Sequence, residues 1–175
     1  MFRTGSPQMD SLPYKISSLI YLRNPEGDLL LMKRNKSPNK GLWSPIGGKL
    51  EMGTGESPHE AAVREVGEEA GLTITPADLH LFAMIAEKNY EDRCHWLMFL
   101  FDCHKPLEAL PPPISEGNFA FFKESDIDGL DLPETDRQSL WKIYFKSHKD
   151  FVALRADCRS DRPMIVETDE IMRLG

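Results

Sequence analysis

The chain reads as an α/β protein, with a mixed sheet held between helices, and three features of the sequence predict it. Short β-branched and apolar runs recur along most of its 175 residues. A single well-marked amphipathic helix interrupts the early runs. A second helical pattern follows the later ones.

The first strand is predicted over residues 14–22. Asn24-Pro25-Glu26-Gly27-Asp28 is a dense turn cluster, and a second strand returns over 29–33, so the two are expected to pair as a hairpin. Residues 47–56 are glycine-rich and loop-like. The helix then opens on a start signal: Ser57 as N-cap, Pro58 at the first helical position and Glu60 closing a capping box. It should run to Ala70 and stop at Gly71. Strands are predicted over 79–88, 95–103 and 119–123, with Pro111-Pro112-Pro113 as a stiff loop before the last. A second helix is predicted over 134–147, with Leu140, Ile143 and Tyr144 facing inward. Three regions follow: a loose leader over 1–12, a main domain over 13–150, and a C-terminal extension over 151–175. The extension is predicted to form a hairpin packed on the domain, turning at Asp161-Arg162-Pro163.

Composition narrows the function. Hydrophobic residues make up 41% and charged residues 28%, ordinary values for a globular protein. Acidic residues outnumber basic ones 28 to 21, which argues against a nucleic-acid polymer as partner. An acidic protein still binds phosphate compounds when a metal cation screens the repulsion. Three cysteines do not make a disulfide framework. With no signal-like or membrane-length apolar run, the expectation is a cytoplasmic protein, monomer or homodimer, without membrane contact.

The chemistry is concentrated in GGKLEMGTGESPHEAAVREVGEEAGL, residues 47–72. Glu65, Glu68 and Glu69 stand at i, i+3 and i+4 and share one helical face, spanning about a third of its circumference. Val63, Val66 and Ala70 fall opposite, suited to packing on a sheet. Like charges so spaced repel, and Arg64 and Lys49 are the only local cations. An acidic helix face is ordinarily just solvated. Here a hard divalent ion, Mg²⁺ or Mn²⁺, is the natural compensator.

The flanking residues resemble the box of the Nudix hydrolase family. Gly48 opens it and Glu56 follows. Seven residues later comes Arg64-Glu65-Val66-Gly67-Glu68-Glu69-Ala70-Gly71-Leu72, which fills every defined position. Two departures fall in the loop: seven residues instead of five separate Gly48 from Glu56, and Pro45 stands one place early. The resemblance implies a Nudix-type α/β/α sandwich with a mixed β-sheet. It also implies metal ligation by Glu65, Glu68 and Glu69 with the Gly47 carbonyl, and activation of water by Glu69 or Glu65. Glu56 and Arg64 look like a structural pair, which suits the forked geometry of a guanidinium. Arg34 and Lys49 are candidates for substrate-phosphate contacts, each also readable as a solvated cation. Glu116 matches a late acidic position that serves some members as metal ligand or base.

The implied reaction is Mg²⁺-dependent hydrolysis of a small nucleotide by metal-activated water. A nucleoside triphosphate such as 8-oxo-dGTP is the first expectation, by similarity to mutator-type diphosphatases. ADP-ribose or a dinucleoside polyphosphate is the alternative. A non-catalytic nucleotide-sensing regulator is the reading from another class, and no box carboxylate is missing to favour it. Cys94-His95 and Cys103-His104 sit at opposite ends of one predicted strand, about 30 Å apart, so they do not form a zinc site. Trp43, Trp96, Phe119 and Phe122 read as core more readily than as base-stacking surfaces. His59 is expected to be exposed.

Overall fold

The structure, a computed structural model, describes residues 11–174. All but residues 11 and 12 of the predicted leader lie outside the described residues. The strands are β1 (Tyr14–Tyr21), β2 (Leu29–Arg34), β3 (Trp43–Ser44), β4 (Ile46–Lys49), β5 (Leu79–Tyr90), β6 (Cys94–Cys103), β7 (Gly117–Phe122), β8 (Phe151–Asp157) and β9 (Ile165–Met172). The helices are α1 (Pro58–Glu65), which runs on as a π-helical turn Val66–Ala70, and α2 (Trp141–Ser147), preceded by a π-helical turn Asp136–Leu140.

Six strands form one mixed sheet in the order β4-β1-β6-β5-β8-β9, and β3-β2-β7 form a second. Within the large sheet β1 runs parallel to β6 and β5 parallel to β8, while the remaining pairs are antiparallel. The mixed α/β architecture is the one predicted, but its division into two sheets is not.

The expected β1–β2 hairpin is corrected accordingly. The chain does turn at Asn24 and Gly27, and the Leu30 amide donates to the Leu22 carbonyl at 2.9 Å. Beyond that point the strands part, β1 pairing with β4 and β6, β2 with β3 and β7. The cause lies in their composition. Ile20, Tyr21 and Leu22 are all buried, as are Leu29 through Met32. Runs apolar on both faces need cover on both sides, not a hairpin with one wet face.

Alternate residues along these runs enter two separate cores. Ile20, Leu22, Leu30 and Met32 pack with Ile46, Phe101 and the α1 residues Ala62, Val66 and Ala70. Tyr21, Leu29 and Leu31 pack with Phe82, Ile85 and the α2 residues Trp141 and Tyr144. Helices thus cover opposite faces, giving the α/β/α layering. Leu140 and Tyr144 face inward as predicted, and Trp141 joins them. A polar tie crosses this second core: Arg23 Nε donates to Tyr144 Oη at 3.0 Å, and Tyr144 Oη donates to Asp102 Oδ1 at 2.6 Å.

The last two strands are antiparallel to each other, with the turn at residues 160–162. Because β8 hydrogen-bonds to β5 from Ala83↔Val152 to Lys88↔Asp157, this segment extends the sheet itself. No helix among the described residues is long and apolar enough to cross a membrane.

Candidate active site

The site begins with how α1 is held. Ser57 Oγ accepts from the Glu60 amide at 3.2 Å, and Glu60 Oε2 accepts from the Ser57 amide at 2.8 Å. This reciprocal cap satisfies two otherwise orphaned donors. Ser18 Oγ on β1 donates to the Pro58 carbonyl at 2.8 Å, tying the helix start to the sheet. His59 is half-buried rather than exposed, its ring packing edge-on to Phe101 with centroids 4.7 Å apart.

From Glu65 the carboxylates look onto a cleft of about 730 Å³. Arg34, Gly47, Lys49, Glu65, Glu68, Glu69 and Glu116 all line it. Glu65 and Glu69 are 9% and 8% exposed, whereas Glu68 stays open to solvent. The change to π-helical winding after Glu65 was not visible in the spacing argument. Gly67, a weak helix former inside the turn, is its only local hint. Such turns are frequent at functional sites.

Gly47 and Gly48 on β4 bring backbone up against these carboxylates. The Gly47 amide donates to Glu69 Oε2 at 2.9 Å. Its φ is +144°, and a Cβ there would stand 2.1 Å from the Ser18 carbonyl oxygen. A Cβ on Gly48 would stand 2.2 Å from Glu65 Oε1. At Gly47 only glycine allows this approach, because the clash is with backbone and φ is positive, whereas at Gly48 an added Cβ would push the Glu65 carboxylate aside.

Behind the cleft, Arg64 clamps loop to helix. Its Nε donates to Glu56 Oε1 at 2.7 Å and Nη2 to Glu56 Oε2 at 2.9 Å, a two-pronged pair. Nη1 reaches Glu65 Oε1 at 2.7 Å, and Nη2 the Lys49 carbonyl at 3.2 Å. The two-residue excess in the loop is absorbed by a short 3-10 turn, Met52–Thr54, which leaves Glu56 in reach of Arg64.

Electrostatics follow from this layout. The Arg64 hydrogen bonds hold the Glu56 carboxyl below its usual range. Burial pushes Glu65 up, against the pull of Arg64. Burial also pushes Glu69 up to about 7, opposed by the Gly47 amide and the Arg34 charge. Glu116 lies lower than usual because the Ser115 hydroxyl donates to it. Arg34 Nε donates to the Pro38 carbonyl at 2.8 Å, which fixes its course along the cleft.

As placed, no three acidic, histidine or cysteine side chains among the described residues are grouped as a metal cage. The donor set nonetheless suits a hard cation. Two buried carboxylates, Glu65 and Glu69, share one pocket, and burial works against the charge of both. That cost is the kind a divalent ion with oxygen ligands offsets.

The cleft also contains residues not anticipated as site residues: Lys15, Glu87, Tyr90, Met98 and Asp136. Trp96, read above as core, lines it too, while Phe119 is buried in a core and Trp43 and Phe122 pack against one. A glutamate at the end of the apolar strand LHLFAMIAE was the available signal for Glu87. Cys94 and Cys103 end opposite tips of β6.

Residues 13–146 match the NUDIX domain. The chain belongs to the Nudix family. A curated relative named octanoyltransferase, from Myxococcus xanthus, is 36% identical over 110 residues, 61% of this chain but 24% of that protein. The Nudix hydrolase YvcI of Bacillus subtilis, whose name calls it uncharacterized, is 30% identical over 109 residues, 62% of this chain and 65% of its own. The chain thus spans less than two thirds of either relative. Among solved structures, the mutator MutT protein of Bacillus halodurans superposes with a TM-score of 0.68 at 20% identity, covering 89% of this chain and 97% of that one. At that identity the likeness speaks for the Nudix fold.

Proposed function

We propose that this Nudix domain hydrolyses a phosphoanhydride bond of a nucleoside triphosphate, 8-oxo-dGTP among them, with Mg²⁺ as cofactor and Mn²⁺ as a substitute. The observation that carries the reading is the buried carboxylate pair Glu65 and Glu69, set against the glycine backbone of β4 at one end of a cleft of nucleotide size.

Glu65, Glu68 and Glu69, with the Gly47 carbonyl and Glu116, would hold the ion. When bound, a divalent cation neutralises phosphate oxygens and acidifies water. Lys49 and Arg34, which line the same cleft, meet the outer phosphate oxygens. In the reaction a water oxygen bonds to phosphorus, the bridging P–O bond breaks, and the leaving phosphate keeps the electron pair. Glu69 or Glu65 takes the water's proton. Glu69 Oε2 already accepts from the Gly47 amide, leaving Oε1 for that proton. Arg64 keeps Glu56 and Glu65 in register from behind and does not touch the phosphates.

The test is a phosphate-release screen over nucleoside triphosphates, 8-oxo-dGTP, ADP-ribose and dinucleoside polyphosphates, with and without Mg²⁺. Turnover is expected on triphosphates, abolished by chelation and restored by Mg²⁺. Glu69→Gln should lower kcat by roughly 10²- to 10⁴-fold with an unchanged far-ultraviolet circular dichroism spectrum. Near-normal turnover in that variant, or no cleavage of any compound in the panel, would sink the assignment.

A further inference from the structure

The large sheet ends on β9, at the edge opposite β4 and its carboxylate-facing glycines. β8 and β9 lie beyond the residues that match the NUDIX domain. β9 is eight residues long, IVETDEIM, without the lysine or proline that commonly blunts an edge strand. Ile171 and Met172 near its end are 54% and 49% exposed.

The neighbouring strands fix which backbone groups face outward. The Cys158 amide, one residue past β8, donates to the Lys88 carbonyl of β5 at 2.9 Å. Strand residues turn their N–H and C=O groups alternately to one side and the other. The even-numbered residues of β8 therefore bond to β5, and Phe151 and Ala153 turn to β9, where they meet Met172 and Glu170. That leaves the amide and carbonyl of Ile171 and Arg173 pointing to the open side. Leu174 turns back again, its amide donating to Asp150 Oδ1 at 3.3 Å. Asp169 has no partner on β8 in this register.

An unpaired row of this kind is a template for another strand, and its side chains restrict which. Glu167, Asp169 and Glu170 are exposed, and like charges directly across a strand pair repel. A second β9 laid antiparallel and centred between Thr168 and Asp169 would set Glu167 against Glu170. Centred on Glu170, it would set that residue against itself. Centred on Ile171, it sets Ile171 against Ile171, Glu170 against Met172, and Asp169 against Arg173. The outward groups of the two Ile171 residues then face each other as a hydrogen-bonded pair. Within one copy Arg155 serves both Glu167 and Asp169, at 2.8 Å and 3.4 Å, so one negative charge is left over. Arg173 of the second copy offsets it. We propose that β9 pairs in this register with β9 of a second copy of the chain, joining two six-stranded sheets into one across a two-fold axis at Ile171. The proposal goes beyond the hydrolytic reading and does not depend on it.

Sedimentation equilibrium across a dilution series reads the association, and amide hydrogen exchange at both ends of the series reads the edge. The wild type should pass from monomer to dimer as concentration rises, because one strand pair is far smaller than the roughly 1,600 Å² of a standard interface. The Ile171 and Arg173 amides should exchange more slowly in the dimer. Arg173→Glu and Asp169→Arg should each weaken association about tenfold, and the double variant should recover to within about threefold of the wild type. Ile171→Lys changes an exposed side chain, sets two cations across the axis, and should also weaken association about tenfold. It keeps the test decisive if Asp169→Arg disturbs Arg155. A wild type that stays monomeric at the highest concentration, single variants that associate as tightly as the wild type, or a double variant without recovery overturns the proposal. So do edge amides that are slow at every concentration, which would mean that another part of the chain covers the strand.

Discussion

Arg64 contacts Glu56, Glu65, Glu68 and the Lys49 carbonyl at once. A planar guanidinium does this because its five N–H groups diverge in a fixed fork; an ammonium is a point charge on a flexible stem. Arg64→Lys should therefore free Glu65 from its outer support although the charge is kept. We expect kcat/KM to fall about 10- to 100-fold, the usual cost of losing a group that orients a ligand, with a smaller effect on KM than on kcat. Steady-state kinetics on any accepted triphosphate checks it, and a lysine variant of wild-type efficiency would show that charge alone matters. The residues in this clamp were legible because they are local: Glu56 to Glu69 lie on one loop and one helix, so spacing places them. Arg34 ends β2 and Glu116 lies in the turn before β7, both far from the helix in sequence, and only family resemblance pointed to them. Glu87 and Asp136 were not legible as a pair. They meet because β5 and the approach to α2 border the same cleft, and nothing in their separate neighbourhoods encodes that meeting.

At the level of the element, α1 shows how a short helix is kept in place. Its box supplies three glutamates that repel one another, so the cap and the inward face must hold it. The cap was readable in Ser57, Pro58 and Glu60, and the inward face in Val66 and Ala70. Ser57→Ala removes an acceptor from the Glu60 amide and should destabilise the protein by about 1 kcal/mol. Urea denaturation checks this as a shift in midpoint at unchanged slope. A loss under a few tenths would mean that the Ser18–Pro58 bond and the Ala62 and Val66 contacts hold the helix start unaided. The strands were less legible than the helix for a physical reason. β2 is apolar on both faces, so alternation cannot say which sheet it joins; its place follows from the two cores it separates.

For the whole molecule, the consequence of this layering is that four acids sit where water does not reach freely. Glu65, Glu69, Glu87 and Asp136 all have carboxyls raised by burial, with Glu87 pushed up to about 7 and Asp136 to about 8. In the unfolded chain such groups titrate near pH 4. Between that value and their raised ones, the folded state holds protons that the unfolded state has lost. Stability therefore falls as pH rises through the window from about 4 to about 8, and levels off above it. Glu56 and Asp157, held low by arginine, act in the opposite direction, but only below about pH 4. Denaturant titrations at pH 5 and pH 8.5 should thus find the wild type less stable at the higher value. The double variant Glu87→Gln/Asp136→Asn should lose less over the same interval. Its gain relative to wild type at pH 8.5 should be at least about 1.4 kcal/mol, the equivalent of a tenfold change in a proton-binding constant. Equal pH slopes for the two proteins would mean that water reaches these carboxyls freely.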